Sequence, residues 1–447
     1  FIFSLVYSKF QQELSNCQAE SFENLCHFVA QSKPMKTNKR SLAHPIFWLS
    51  LLDQISITIA YPLLTIICFD PHTRLFAVST SQAVRSIWYG IFSGLPHGIA
   101  ILAAPILAYL SDYIGRKKVL LYGATSAALF SFIAASALIF GNIWLMIAAG
   151  IIWGIFVRTE PVALACIGDF STDENKMIHM GYLQLFISIG AFIGPLITAY
   201  FAQRFFFNTL NFSFPFLIGG FFGIITFWMT YKLFKETYQP PIEKKYSTFK
   251  ENLKLLARKN IFKVSIILIL TQISWRIYYQ FMPPILKVSW HSSSAQIGIF
   301  MGLIALWLII GSGFLIRPLK KYFSTGKIIH YSIYAMLLGS LLAAGSVLIK
   351  IYFFAKLLAW ISAVPIAIGD VIAYSALSTL YSDTGDVHHQ GKMMGLNVVI
   401  VSLVWTLTGF LGGLAAAANI HLPILIAPAT LIILVIFQRK FYVHYAK

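Results

Sequence analysis

Apolar residues fall along the chain in long runs separated by short polar stretches. A helix that crosses a bilayer needs about 20 mostly apolar residues. Twelve runs reach that length, at roughly 45–69, 88–110, 119–140, 143–167, 180–202, 213–234, 262–286, 295–316, 327–349, 352–378, 393–416 and 421–438. The longest polar interval inside the series falls after the sixth run and divides the twelve into two sets of six. The expected organisation is a tail over 1–40, a six-helix bundle over 41–235, a basic linker over 236–261, a second six-helix bundle over 262–438 and a tail over 439–447. Within the linker, 248–259 reads as an amphipathic helix lying on the membrane surface. Residues 1–34 stand outside the pattern. Met35, followed by a basic stretch, reads as a natural start, with 1–34 a disordered tail or a start-site artefact.

Composition supports the membrane reading. Of the 447 residues 58% are hydrophobic and only 11% are charged, against about 25% charged in soluble domains. That leaves too little polar surface for a soluble enzyme, a disordered chain or a secreted disulfide scaffold. The net charge of +18 is a topological signal. About 26 of the 34 basic residues fall on one side of an alternating path through the membrane, which places that side and both termini in the cytoplasm. A bacterial inner membrane is the expected location. The basic residues are spread over several loops, so no nucleic-acid partner is indicated. Cys17, Cys26, Cys68 and Cys166 form no C-x-x-C pair or metal-ligand spacing, so no metal is expected.

The loop after the second run contains Asp112-Tyr-Ile-Gly115-Arg116-Lys117-Lys118. It is a tight turn in which Gly115 permits backbone conformations other residues resist. This D-x-x-G-R-K-K sequence resembles the loop signature of the major facilitator superfamily, with Ala108 in place of the usual first glycine. The resemblance covers about residues 40–440. It implies twelve transmembrane helices in two pseudo-symmetric six-helix bundles, an all-α integral membrane fold. It also implies that Asp112, Gly115, Arg116, Lys117 and, near the end of the fourth run, Asp169 form a conformational latch. In the fifth run Gly181, Gly190, Gly194 and Pro195 match the G-x8-G-x3-G-P pattern of antiporters in that superfamily. Glycines four apart allow close helix approach, and the proline bends the helix. Thr198-Ala199 stands where a final glycine pair is expected. Asp53 lies nine residues before Pro62 in the first run, which resembles the tetracycline/proton group of drug/proton antiporters and gives Asp53 a substrate or proton role. The arginine often found in the fourth span of that superfamily is replaced by Gly150, with Arg158 at a different level.

An ionisable group at the bilayer centre costs about 2.5–3.5 kcal/mol on insertion scales. This chain places Asp53, Arg158, Glu160, Arg276 and Asp370 inside predicted spans. Such groups either fix packing as interhelical ion pairs or line a water-filled cavity with proton and substrate sites. Arg158 and Glu160 are two residues apart and point to different sides of one helix, so each needs its own partner or access to water. Glu160 and Asp370 precede comparable stretches in the two halves, as expected of an internal repeat. The seventh run adds Gln272, Trp275, Arg276, Tyr279 and Gln280 before Pro283-Pro284, and reads as a broken helix beside a cavity. Gln54 next to Asp53 joins Trp275, Arg276, Tyr279 and Gln280 in the expected substrate set.

The resulting expectation is proton-coupled export of a small amphipathic organic compound by alternating access. Asp53, Glu160, Asp370 and Arg158 would carry the coupling. The expected partners are the substrate, protons and the bilayer. The energy source is a proton gradient, no cofactor is expected, and the working unit is a monomer. A proton symporter importing a metabolite, amino acid or siderophore is the rival. A membrane enzyme is disfavoured, because His97 is isolated and His388-His389 lie in a loop without ligand or catalytic spacing.

Overall fold

The computed structural model describes residues 44–156, 160–171, 173–202, 212–237, 259–383 and 390–441. The expectations for the tails over 1–43 and 442–447, for Arg158, for linker residues 238–258 and for His388-His389 lie outside the described residues. Of Asp112 and Glu160 the backbone is described, within the helices Gln82–Ile114 and Glu160–Phe170, and the side chain is not. Among the described residues every regular element is helical. Ten helices are long and apolar enough to cross a bilayer, and the shorter apolar helices Ile143–Ile155 and Leu422–Ile436 complete twelve spans. The chain is an all-α integral membrane protein.

Several spans run past their apolar cores. The second is Gln82–Ile114, the seventh Lys259–Val288 and the tenth Tyr352–Asp383. Polar residues end a hydropathy run without ending a helix, because outside the hydrocarbon they are solvated. Capping decides the true end: Ser81 accepts a hydrogen bond from the Val84 amide at 3.4 Å and starts the second span.

Several spans carry proline and the eighth contains a π-helical turn; at the first and seventh spans a side chain from another span meets the backbone near the proline. The first is Pro45–Thr58 and Ala60–Phe69, offset at Ile59. Pro62 has no N–H to give to Thr58, which loosens the helix there. The neighbouring Ile59 carbonyl accepts from Thr198 Oγ1 in the fifth span at 2.9 Å. The eighth span is Ser294–Ile310 and Ile316–Tyr322 joined by a π-helical turn, Gly311–Leu315. The seventh span corrects an expectation: Pro283 and Pro284 do not break it. Pro284 cannot donate to the Gln280 carbonyl, and Tyr89 Oη from the second span donates to that carbonyl in its place. A replacement donor lets the helix continue.

In the first half, Pro45–Thr58 packs on the fifth and sixth spans, and the third span packs on the fourth and sixth. In the second half, the ninth packs on the tenth and twelfth, and the seventh on the tenth, eleventh and twelfth. The halves meet through the second and eleventh spans, the fifth and eighth, and the segment Ala60–Phe69 against the seventh and eighth. Small residues make these crossings possible. A Cβ on Gly409 would fall 2.7 Å from Gly94 Cα, and one on Gly413 2.7 Å from Gly90 Cα. One on Gly298 would fall 2.6 Å from both the Pro195 carbonyl and Ala199 Cβ. All of these crossings lie in the membrane half opposite the Gly115 loop.

Candidate functional site

The face opposite the Gly115 loop is held shut by polar contacts between the halves. Asp70 caps the end of the first span, and its carboxylate accepts from Lys287 Nζ at 2.7 Å. The His72 amide donates to the same carboxylate at 2.9 Å, and His72 Nδ1 lies 3.0 Å from it. Burial opposes ionisation of Asp70. The hydrogen bonds from Lys287 and His72 outweigh it and hold the carboxyl below the ordinary carboxylate range. At the same face but within the second half, Ser289 Oγ and His421 Nε2 join the seventh and twelfth spans at 2.7 Å. Burial lowers the affinity of His421 for a proton, which favours the neutral ring.

Beneath this face an aromatic layer crosses from one half to the other. Tyr61 of the first span stacks on Trp405 of the eleventh with centroids 5.9 Å apart and meets Tyr279 of the seventh edge-on at 5.4 Å. Trp153 of the fourth span lies 5.9 Å from Tyr61, and His97 of the second stacks on Trp405 at 4.4 Å. Trp275 continues the layer, 5.6 Å from Tyr279. The Arg276 guanidinium sits 4.1 Å from the Trp405 ring centroid. That is a cation–π contact, worth about 2 kcal/mol or more when desolvated. Arg276 Nε is buried and has no hydrogen-bond partner among the described residues.

Buried polar groups continue from this layer. Gln272 Nε2 donates to Asp370 Oδ1 at 2.8 Å, joining the seventh and tenth spans. Asp370 is 6% exposed and Asp53 5% exposed, so both acids are withdrawn from bulk solvent. Gln54 lies against the fifth span, its Cβ 2.9 Å from where a Gly190 side chain would begin. Thr58 Oγ1 lies 3.2 Å from the Gly190 carbonyl, and a Cβ on Gly194 would strike Thr58. Gly190, Gly194 and Pro195 thus hold the fifth span between the Asp53 span and the eighth. Gly181, expected with them, has nothing within 4 Å of a Cβ placed on it. Gln280 is buried and donates to the Trp405 carbonyl at 3.4 Å.

At the other end of the bundle, Gly115 adopts φ 99° and ψ 158°, a region that favours glycine. Arg116 Nε donates to Asp169 Oδ2 at 3.1 Å, linking the third and fourth spans. Lys117 Nζ donates to the Tyr231 carbonyl at 2.9 Å. Glu236, a residue not singled out from sequence, accepts from the amides of Arg116 and Lys117 at 2.9 and 3.1 Å. A carboxylate at a helix N-terminus meets the free amides and the positive end of the dipole. Thr237 Oγ1 adds a bond to Asp169 at 3.2 Å. Glu236 was hidden among the many charges that follow the sixth span. The layer residues Tyr61, His97, Trp153 and Trp405 carried no distinguishing spacing, and Asp70 and Lys287 looked like ordinary loop charges.

Two helical bundles closed on one face, with buried ionisable groups between them, define a membrane transporter rather than an enzyme. The chain belongs to the Major Facilitator Superfamily, whose pattern it matches over residues 46–409. It is similar to the class H tetracycline resistance protein of Pasteurella multocida, with 29% identity over 152 residues, 34% of this chain and 35% of that protein. The match thus spans about a third of that relative's length. Among solved structures it resembles a bacterial homolog of the human lysosomal transporter Spinster in an inward-facing, unoccupied conformation. The TM-score is 0.65 at 16% identity, covering 92% of this chain and 97% of that one. It also resembles a D-xylose–proton symporter, with TM-score 0.68 at 14% identity, covering 89% and 97%. These likenesses are of fold.

Proposed function

We propose that the protein is a proton-coupled antiporter that exports a small amphipathic organic compound from the cytoplasm by alternating access. The observation that carries this reading is the juxtaposition of the aromatic layer with Arg276 and the Gln272–Asp370 pair. The rings of Tyr61, Tyr279 and Trp405 offer flat apolar surface to a cargo, while Arg276 and Asp370 offer charge beside it. An acid kept in a bilayer at such cost is retained for a task. Here that task is to exchange a proton as the cavity changes sides. In the state described, the Asp70–Lys287 face is shut; in this reading the cargo enters from the Gly115 side, which is read as cytoplasmic. Protonation of Asp53, Glu160 or Asp370 from outside drives the return to this state. Release of the proton inside accompanies loading. Asp112, Gly115, Arg116, Lys117 and Asp169, with Glu236, act as the latch of the alternate state.

The partial likeness to a tetracycline resistance protein favours export of a ring-bearing compound. Reconstitution in proteoliposomes with an imposed pH gradient, screening amphipathic compounds, tests the reading. Asp53→Asn, Glu160→Gln and Asp370→Asn are each expected to retain binding, and at least one to lose proton-driven transport. Full proton-driven transport in all three would overturn the assignment. The likeness to a D-xylose–proton symporter keeps import as a second reading. Accumulation in inverted but not right-side-out vesicles is the outcome that export requires.

A further inference from the structure

Away from the aromatic layer, a crevice of about 340 Å³ opens between the eighth, ninth and tenth spans. Its walls include Leu319, Tyr322, Ile328, Tyr331, Ile368 and Ile372. It lies below the π-helical turn at Gly311–Leu315, beyond which the eighth span ends as Ile316–Tyr322. Tyr322 and Tyr331 are largely exposed, so the crevice is open at the surface. An apolar hollow at the edge of a membrane span is filled by hydrocarbon rather than water.

Its mouth is strongly basic. Residues 315–332 contain Arg317, Lys320, Lys321 and Lys327 and no Asp or Glu. Lys321 Nζ sits 5.6 Å from the ring of Tyr322, a wall residue, so positive charge and apolar surface adjoin directly. None of the four basic groups forms an ion pair with a carboxylate among the described residues. Tyrosines beside basic residues at a span end suit the headgroup level.

We propose that this crevice is a binding site for an anionic phospholipid, one acyl chain lying between the eighth, ninth and tenth spans and its phosphate meeting Arg317, Lys320, Lys321 and Lys327. Basic pockets between transmembrane helices take such headgroups. The site also touches the transport machinery. Gly369 lies in the wall, and Asp370 follows it in the chain. A Cβ at Gly369 would fall 2.8 Å from the Ser332 carbonyl, so the tenth span is pressed against the ninth at this level.

The test is native mass spectrometry of the full chain, titrated with phosphatidylglycerol and with phosphatidylcholine. The wild type is expected to retain phosphatidylglycerol preferentially. Lys320→Gln with Lys321→Gln is expected to weaken that retention by roughly fivefold per charge removed. Ala335→Trp, which fills the crevice and leaves every charge in place, is expected to weaken it as well. Lys350→Gln on the opposite side is expected to change nothing. Size exclusion and thermal melts show that each variant is folded. Equal retention of the two lipids, or no change in the double lysine variant, would overturn the proposal. So would full retention in Ala335→Trp, which would reduce the effect to surface charge without a crevice.

Discussion

At the scale of single residues, the contact that most directly holds one face closed is Asp70 with Lys287. Both side chains are mostly withdrawn from solvent, at 11% and 14% exposure, so the pair is not the weak, screened bridge of an open surface. Asp70→Asn removes the charge and leaves Lys287 poorly matched, and is expected to cost the closed state about 1–3 kcal/mol. Faster labelling of a Ser289→Cys reporter by an impermeant maleimide from outside would register this. Unchanged labelling would show that other contacts hold the face shut. The pH dependence has a definite sign. The Asp70 carboxyl titrates below the ordinary carboxylate range. Its contribution is therefore complete above that range and is lost only as pH falls through the lowered value. With Asp70 in place the face should stay closed from neutral to mildly acidic pH and open only under strong acid, read as the distance between spin labels on the two halves rather than as thiol labelling.

At the scale of helices, the glycines decide how closely the halves approach. A Cβ on Gly409 would meet Gly94 backbone at 2.7 and 2.8 Å, where no flexible side chain can yield. Gly409→Val should overpack the crossing at a cost of about 1–3 kcal/mol. The effect should be specific to the closed face: accelerated Ser289→Cys labelling with the fold intact by thermal melt. Tyr89→Phe makes a finer test. It removes the donor that serves the carbonyl freed by Pro284 and should destabilise the same state by about 1–3 kcal/mol, without any steric change. These elements differ in how far sequence discloses them. The cores of the spans were legible because hydrocarbon demands long apolar runs. The continuity of the seventh span through Pro283-Pro284 was not, because it depends on Tyr89 from a helix nearly two hundred residues away. The fifth span shows the same limit. Ala199 stands where a glycine was expected, and Gly298 of the eighth span supplies the missing space.

At the scale of the whole molecule, scarcity of charge was the most informative feature of the sequence. It drew attention to Asp53, Arg276 and Asp370, and all three are buried or partly buried among the spans. The aromatic layer could not be picked out the same way. Tyr61, Trp153 and Trp405 are three among 38 Phe, 21 Tyr and 10 Trp, and only the fold assembles them. The alternating access proposed above makes a demand that no local contact can meet: under it, the face closed by Asp70 and Lys287 opens in every cycle. Cysteines at these two positions, joined by a short bifunctional maleimide, should hold that face shut and abolish turnover. Binding from the Gly115 side should persist, since the crosslink does not touch that side. A cleavable linker should restore transport when cut. The orientation can be checked in the same cells. Lys350→Cys should react with an impermeant label in intact cells, and Lys118→Cys only after permeabilisation. Transport that continued under a complete crosslink would mean that the cargo does not pass between the halves at all.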